Sequence, residues 1–341
     1  ANRILDLDLS SFTVSVEPGV VLGKLNSFLS RYGLFIPVEP ASDSVCTVGG
    51  NVATDAVGLR GLRYGSFRDW VAYLEIATME GELLKIGGFT RKSSSGYSLL
   101  DLFIGSEGTL GYVTEIGLRL EKIPRSRVAV SGIFEGYRGV VKAALEILAE
   151  GLKPSIMEFM DKVAVKAVSQ YLEREDFLGY DLLILEFEGY TKAETMAQSR
   201  AAKRIIEGLG GRAKLWDSNP EIWDFRKACF PAMTTIKPKV TLFDLTLPLG
   251  RIEEGLQEIY NVSGELGIEV GVFGHLGDGI LHPLFLMDPF TPEGEKLDEA
   301  LEALSKVGVK LGGTLSGEHG IGLEKKPYFH MEHPRANIEL M

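Results

Sequence analysis

The chain has 341 residues, enough for two domains of ordinary size, and a globular composition of 45% hydrophobic and 24% charged residues. Its 47 acidic and 36 basic residues give a net charge of −11, dispersed along the chain, which argues against a nucleic-acid footprint and against an acidic tail. Two cysteines, Cys46 and Cys229, cannot build a disulfide framework and fit a reducing compartment; with no apolar run near the ~20 residues of a membrane span and no secretory signal, the expected location is cytoplasmic, peripheral membrane attachment being left open.

The first third is rich in strands and glycine. FTVSVEPGV alternates apolar and polar residues from Phe12 and turns at Pro18-Gly19. Leu22, Leu25, Leu29 and Tyr32 then share a helical face, with Gly33 placed to end it. From Val38 to Gly65 periodicity is weak and Gly, Ser, Pro and Asn are frequent, which reads as a long ordered loop of the functional kind. WVAYLEIATMEGELLKIGG reads as two strands joined near Glu80-Gly81. Composition changes at LEKIPRSR, so Pro124 divides a domain 1–124 from a domain 125–341.

Beyond Pro124, strands and helices alternate. VAVSGIF leads to a helix over about 139–150, LLILEFEGY to one over about 192–208, and VTLFDLTLP to one over about 251–266. IEVGVFGHL and LHPLFLMD follow, then a helix over about 293–311 and a last strand at GTLS. From VTLFDLTLP on, the order reads β-α-β-β-α-β, and the whole reads as an α+β domain whose antiparallel sheet is covered on one face by helices.

Two of the five histidines flank one turn, in GHLGDGILH from Gly274 to His282. The Gly-Asp-Gly centre joins two strand-like segments, which sets His275 and His282 on its shoulders. Two facing imidazoles can share a divalent metal; the plainer reading is a glycine turn with two surface histidines. SGEHGIG adds Glu318 and His319 in a second glycine-rich loop. An ordinary capped turn is the plainer reading there. Taken together, the two loops give a His2Glu set of His275, His282 and Glu318, which leaves coordination positions open for substrate, with Zn and Mn both candidates. His319, beside the set but outside it, is a natural general base.

The glycine-rich stretches TVGGNVATDAVGLRGLRYGSFRDWV and GSEGTLGYVTEIGLRL present backbone amides that can approach a pyrophosphate. No G-x-G-x-x-G lies between a strand and a helix, so a Rossmann NAD site is not supported.

PVEPASDSVCTVGGNVATDAVG, YGSFRDWV, KSSSGYSLLDLFIGSEGTLGYVTE, RKACFPAM, GHLGDGILHPLF and SGEHGIGLEKKPYF occur in that order. Together they resemble the FAD-linked oxidases of the vanillyl-alcohol oxidase (PCMH) type, in particular the group of glycolate oxidase catalytic subunits and D-lactate dehydrogenases. The resemblance implies a PCMH-type FAD-binding domain followed by an α+β substrate (cap) domain. It implies oxidation of a D-2-hydroxy acid or glycolate, with electrons passed to a quinone, cytochrome, flavoprotein or iron–sulfur subunit. Homo- and hetero-oligomers are both compatible with it. Matched motif by motif, the flavin contacts fall on Pro40, Ala41, Ser42, Val48, Gly49, Gly50, Asn51, Ala53 and Gly58, then Tyr64, Gly65, Gly108, Gly111 and Val113. Some relatives carry a divalent ion at the positions of His275, His282 and Glu318; His319 matches their proposed base and Arg226 an arginine that holds the substrate carboxylate.

Departures from the pattern are specific. The family's glycine-rich phosphate loop has no match ahead of Ala1, and the chain stops short of the family's last segment, so a piece of a longer protein with an incomplete flavin site is expected. Ile280 stands where relatives often have Asn, and Glu39 where Asp is common. Two other functions use parts of the same pattern: a metal-dependent hydrolase built on His2Glu, and a non-catalytic subunit that docks a redox partner.

Overall fold

The computed structural model describes residues 1–217, 221–288, 290–291 and 296–341. The chain forms two compact units, Ala1–Pro124 and Arg125–Met341.

The first unit holds β1 (Ile4–Asp8), β2 (Thr13–Val16), α1 (Leu22–Leu29), β3 (Leu34–Phe35), α2 (Val48–Thr54), α3 (Gly61–Tyr64), β4 (Val71–Ala77), β5 (Leu83–Gly87), α4 (Leu100–Phe103), β6 (Tyr112–Arg119) and β7 (Glu121–Lys122). Five strands make one antiparallel sheet in the order β1-β2-β6-β4-β5, and β3 pairs with β7. Leu22, Leu25 and Leu29 on α1 are fully buried. A 3-10 turn over Ser30–Tyr32 then tightens the helix before Gly33 ends it at φ 68°. That tighter winding carries Tyr32 off the apolar stripe and leaves it 44% exposed. The β4–β5 hairpin turns at Gly81, φ 84°, where the sequence set it.

The segment 38–65 is not a plain loop: it contains α2 and α3. Thr47 caps α2 by accepting from the Gly50 amide at 3.1 Å. Val48, Asn51 and Val52 form its buried face, so the helical spacing is present but carries a polar residue at its middle. Gly49 hides the helix further, yet a Cβ there would sit 2.5 Å from Pro18 Cβ. Close packing on the Pro18-Gly19 turn requires the glycine despite its low helix propensity.

The second unit runs β8 (Ser126–Phe134), α5 (Tyr137–Ala149), β9 (Ile156–Met160), α6 (Lys162–Tyr171), β10 (Asp181–Gly189), α7 (Lys192–Gly208) and β11 (Arg212–Asp217). It continues with α8 (Glu221–Lys227), α9 (Cys229–Met233), β12 (Lys239–Leu242), β13 (Leu245–Thr246), α10 (Ile252–Leu266), β14 (Glu269–His275) and β15 (Ile280–Met287). α11 (Leu297–Lys310), α12 (Phe329–Glu332) and α13 (Arg335–Leu340) close it. Seven strands lie in the order β11-β8-β10-β9-β14-β15-β12, antiparallel throughout, with β13 added beside β15. The α+β class and the antiparallel sheet are those read from the sequence. The elements read beyond Pro124 omit β9, α6, β11, α8 and α9. The expected GTLS strand is reduced to a single bridge between Thr246 and Thr314. Of the helix expected over 293–311, positions 293–295 lie outside the described residues.

Helices cover both faces of this sheet, not one. Leu182 and Ile184 of β10 join a core with Val165 and Val168 of α6, Phe225 of α8 and Met233 of α9. Leu183, Leu185 and Phe187 point the other way and are equally buried, on the side packed by α5 and α7. A strand buried on both faces loses its polar alternation, which is why LLILEFE shows so little of it.

At the start of α6, Asp161 accepts from the Ala164 and Val272 amides, each at 2.8 Å, and from Tyr260 Oη at 3.1 Å. Asp181 accepts from the Lys162 amide at 2.9 Å. Burial pushes Asp161 up to about 7 and Asp181 up to about 6. For an acid raised in the fold, stability is fully present below its ordinary value near 3.8 and is lost as pH climbs through the folded value. Asp181→Asn is therefore expected to be more stable than wild type at pH 8 by about 1–3 kcal/mol. The gap should close toward pH 4. Urea midpoints of both proteins at the two pH values check this; equal midpoints at pH 8 would refute it.

Candidate functional site

β14 ends on His275, and a 3-10 turn over Leu276–Asp278 leads into β15. Gly279 closes the turn at φ 77°, where a Cβ would lie 2.1 Å from the Leu247 carbonyl oxygen, so only glycine fits. Pairing of Phe273 with His282 puts His275 and His282 on one face of the sheet, their ring centroids 5.5 Å apart and their planes at 88°. The loop after α11 delivers Glu318 to both. Its Oε1 lies 2.9 Å from His282 Nε2 and 3.6 Å from His275 Nε2. One ligand atom from each of the three lies within 4.8 Å of the others. His319 approaches the same oxygen with Nε2 at 3.3 Å, and its ring stacks on His282 at 5.1 Å with planes 10° apart. Side-chain exposure separates the three: 10% for His275, 3% for His282 and 39% for His319.

The charges are closely matched. Burial alone would push the Glu318 carboxyl up, but hydrogen bonds from His275, His282 and His319 outweigh it and hold the group far below the usual carboxylate range. Burial lowers His275, and Glu158 together with Glu318 more than reverses this, raising it to about 10. Burial and the neighbouring His275 charge hold His282 below the ordinary imidazole value. Two nitrogens and one carboxylate oxygen, aimed at one point and short of water, are the donor set of a Zn or Mn site. His275, His282 and Glu318 thus fit a divalent cation by chemistry and by convergence.

Two buried carboxylates behind the set have no counterpart among the residues singled out from the sequence. Glu158, fully buried on β9, is the cross-strand neighbour of His275 and bonds its Nδ1 at 2.6 Å. That bond leaves Nε2 for Glu318 or a cation. Glu158 also binds Arg226 on α8, whose Nε and Nη2 reach Oε2 at 2.7 and 2.6 Å. Arg226 is only 7% exposed and sits 4.5 Å over the ring of Phe273, two positions before His275. The second carboxylate, Asp244, lies at the base of the Glu318 loop. Both stand inside strongly apolar runs, IMEFM and TLFDL. A lone carboxylate in such a run demands a buried partner, and that is the signal that could have found them. Ile280 is buried and packs beneath Gly317.

Of the flavin-motif residues, Val48, Gly49, Gly50, Asn51 and Ala53 lie on α2. Pro40, Ala41 and Ser42 form a turn, with Cys46 N donating to the Ser42 carbonyl at 2.8 Å. The 105–108 loop docks on the end of α2, Gly105 N donating to Val52 O and Glu107 N to Ala53 O, both at 2.9 Å. Gly50 and Gly108 are exposed there, whereas Val48 and Asn51 turn into the core. A Cβ on Gly58 would come within 2.5 Å of the Glu39 backbone, so these two segments lie in contact. Glu39 itself forms an ion pair with Arg60. Tyr64 O accepts from Trp70 Nε1 at 2.9 Å, and Gly65 takes φ 73° beside Asp69. Gly111 and Val113 lie against Ile76 of β4. Backbone left bare by glycine beside a helix suits a phosphate-bearing cofactor.

Comparison with known proteins gives a family for each of two stretches of the chain. Residues 1–87 match the FAD binding domain family, and residues 123–341 match the C-terminal domain of FAD linked oxidases. The glycolate oxidase subunit GlcD of Bacillus subtilis is 31% identical, over 100% of this chain and 73% of that protein. A probable mitochondrial D-lactate dehydrogenase of Danio rerio is 33% identical, over 99% of this chain and 69% of its own length. Among solved structures, 4-ethylphenol oxidase from Gulosibacter chungangensis shares the fold with a TM-score of 0.71 at 18% identity, over 99% of this chain and 74% of that one.

Proposed function

The chain belongs to the FAD-linked oxidases, a family of flavoprotein oxidoreductases, and from that premise we propose that it oxidises a D-2-hydroxy acid of the D-lactate or glycolate kind to the 2-oxo acid. The observation that carries this reading is the convergence of His275, His282 and Glu318 on one point, with the more exposed His319 at its edge. A divalent cation held by the three would draw electron density from the substrate's hydroxyl oxygen and stabilise developing negative charge there. Bound FAD would accept the two electrons. Pro40, Ala41, Ser42, Val48, Gly49, Gly50, Asn51, Ala53, Gly58, Tyr64, Gly65, Gly108, Gly111 and Val113 are the proposed flavin contacts.

The remaining work belongs to side chains of this chain. Arg226 is the proposed partner of the substrate carboxylate; it would have to share its guanidinium between that group and Glu158. Fixing carboxylate and hydroxyl together orients the C2–H bond, an effect worth at most about 7–11 kcal/mol of barrier. His319 takes the hydroxyl proton as the C2 hydrogen leaves with its electron pair. One proton and one hydride depart, and a carbonyl remains. A hydrolase built on the same His2Glu set would leave the match over residues 1–87 without a purpose. The electron acceptor is proposed to be a partner protein or quinone, in keeping with a relative named as a subunit. Among the described residues no helix is long and apolar enough to cross a membrane.

Anaerobic mixing of the flavin-loaded protein with a panel of D- and L-2-hydroxy acids tests the reading. Bleaching of flavin absorbance by D-acids and glycolate, and not by L-acids, is expected. A flavin left oxidised by every acid in the panel would overturn it.

A further inference from the structure

Asp244 is the second buried carboxylate near the three convergent residues. It lies between β12 and β13 and is fully buried. Its Oδ2 accepts four hydrogen bonds from one short stretch: Ser316 Oγ, Gly317 N and Glu318 N, each at 2.9 Å, and His319 N at 3.0 Å. Three successive amides closing on one oxygen make an anion nest, here filled from within the chain. Lys325 backs the same carboxylate, its Nζ 3.7 Å from Oδ2. The backbone of the loop that carries Glu318 and His319 is therefore hung on one atom.

The other oxygen faces a different task. Leu242 pairs with Leu284 and Leu245 with Leu281, so the register sets Asp244 opposite His282. Cross-strand neighbours on one face have Cβ atoms roughly 4.5–5.5 Å apart. Asp244 Oδ1 and His282 Nδ1 are both buried and lack hydrogen-bond partners among the described residues. Glu158 stands in the same relation to His275, cross-strand and bonded to Nδ1. A buried imidazole whose Nε2 faces a cation needs an acceptor for its Nδ1–H.

We propose that Asp244 is a positioning residue for the cation site, its Oδ2 fixing the Glu318–His319 loop and its Oδ1 serving Nδ1 of His282. Each imidazole of the trio then has a carboxylate behind it, and the third ligand is held through its own backbone. This inference rests on the cation reading above, so its test needs one arm that does not.

The deciding variant is Asp244→Asn in the full, flavin-loaded chain, because it keeps the side chain's size and one oxygen where Asp244→Ala is liable to unfold. Two measurements are made beside wild type. Mn2+ and Zn2+ are titrated calorimetrically into chelator-stripped protein, and amide hydrogen exchange of peptides spanning 313–325 is followed without added metal. D244N is expected to bind both ions about 10–100-fold more weakly. Exchange at 317–319 is expected to quicken by at least about tenfold while peptides of β14 and β15 and the flavin spectrum stay as in wild type, a pattern that general destabilisation would not give. A folded D244N with wild-type ion affinity and wild-type loop exchange overturns the proposal. If wild type takes up neither ion, the cation reading falls, and the exchange arm decides alone: unchanged protection refutes Asp244 as the loop's anchor, faster exchange upholds it.

Discussion

His319→Ala is expected to slow substrate-driven flavin reduction by about 10²–10⁴-fold, the range for loss of a positioned general base. Three imidazoles surround Glu318 Oε1, but they are not equivalent. His275 and His282 are almost wholly enclosed, and His275 has its second nitrogen committed to Glu158. His319 keeps 39% of its side chain open to solvent, so an arriving hydroxyl meets its ring first. Stacking on His282 and the hydrogen bond that the His319 backbone N–H donates to Asp244 hold that ring in place without enclosing it. A base so placed is lost on truncation, whereas the fold is not, because the position is half open and packs little of the core. Stopped-flow spectra under anaerobic conditions separate the two: the oxidised flavin spectrum should match wild type while its bleaching is slow. His319→Asn should be as slow as His319→Ala, since an amide does not accept a proton near neutral pH. Flavin reduction within about threefold of the wild-type rate in either variant would remove His319 from the role.

The contrast between legible and hidden parts follows from distance along the chain. His275, Gly277, Gly279 and His282 sit within one turn, so their mutual approach is fixed by local geometry that a sequence displays. Glu318 and His319 were readable as a second loop of the same character. Glu158 was not, because it is 117 residues from His275 and meets it only through the β9–β14 register, which no local pattern encodes. Asp244 is hidden likewise: its partnership with residues 316–319 spans more than 70 positions. Arg226 was singled out as a carboxylate clamp, yet the carboxylate it grips within the chain belongs to Glu158. The front unit shows the converse failure. Gly49 and Asn51 make α2 look like loop, although one meets a close approach to Pro18 and the other is buried in the helix's inner face. Strands such as β10, buried on both faces, give no alternation by which to count layers.

Glu158→Ala is expected to destabilise the second unit by about 3–5 kcal/mol, the cost of breaking a buried ion cluster from one side. Arg226 and His275 would both lose the carboxylate that neutralises them, and neither is exposed enough to recover water. At ~2–4 °C per kcal/mol for a unit of this size, the thermal midpoint should drop by roughly 10 °C. His275 would also fall from its raised position near 10 toward or below the ordinary imidazole value, because Glu158 is the chief group opposing burial there. Glu158→Gln tests the charge apart from the shape. Its amide can accept from Arg226 or from His275 but must turn a donor toward the other, so it should lie between wild type and alanine in stability. The joint replacement Glu158→Met with Arg226→Met removes both buried charges and refills the space. It should regain much of the stability lost in Glu158→Ala, since desolvated ion pairs exchange for apolar contacts at little net cost. Flavin reduction should not return with it, for His275 would still lack its orienting acceptor and Arg226, the proposed carboxylate partner of the substrate, would be gone as well. Urea unfolding of the three variants, paired with flavin reduction rates, checks this; a Glu158→Ala protein within about 1 kcal/mol of wild type would mean that water reaches the cluster and that the burial described for it is wrong. Glu158→Gln keeps Arg226, so in that variant a rate lost well beyond the loss of stability is what distinguishes a carboxylate kept for the chemistry of His275 from one kept for the fold.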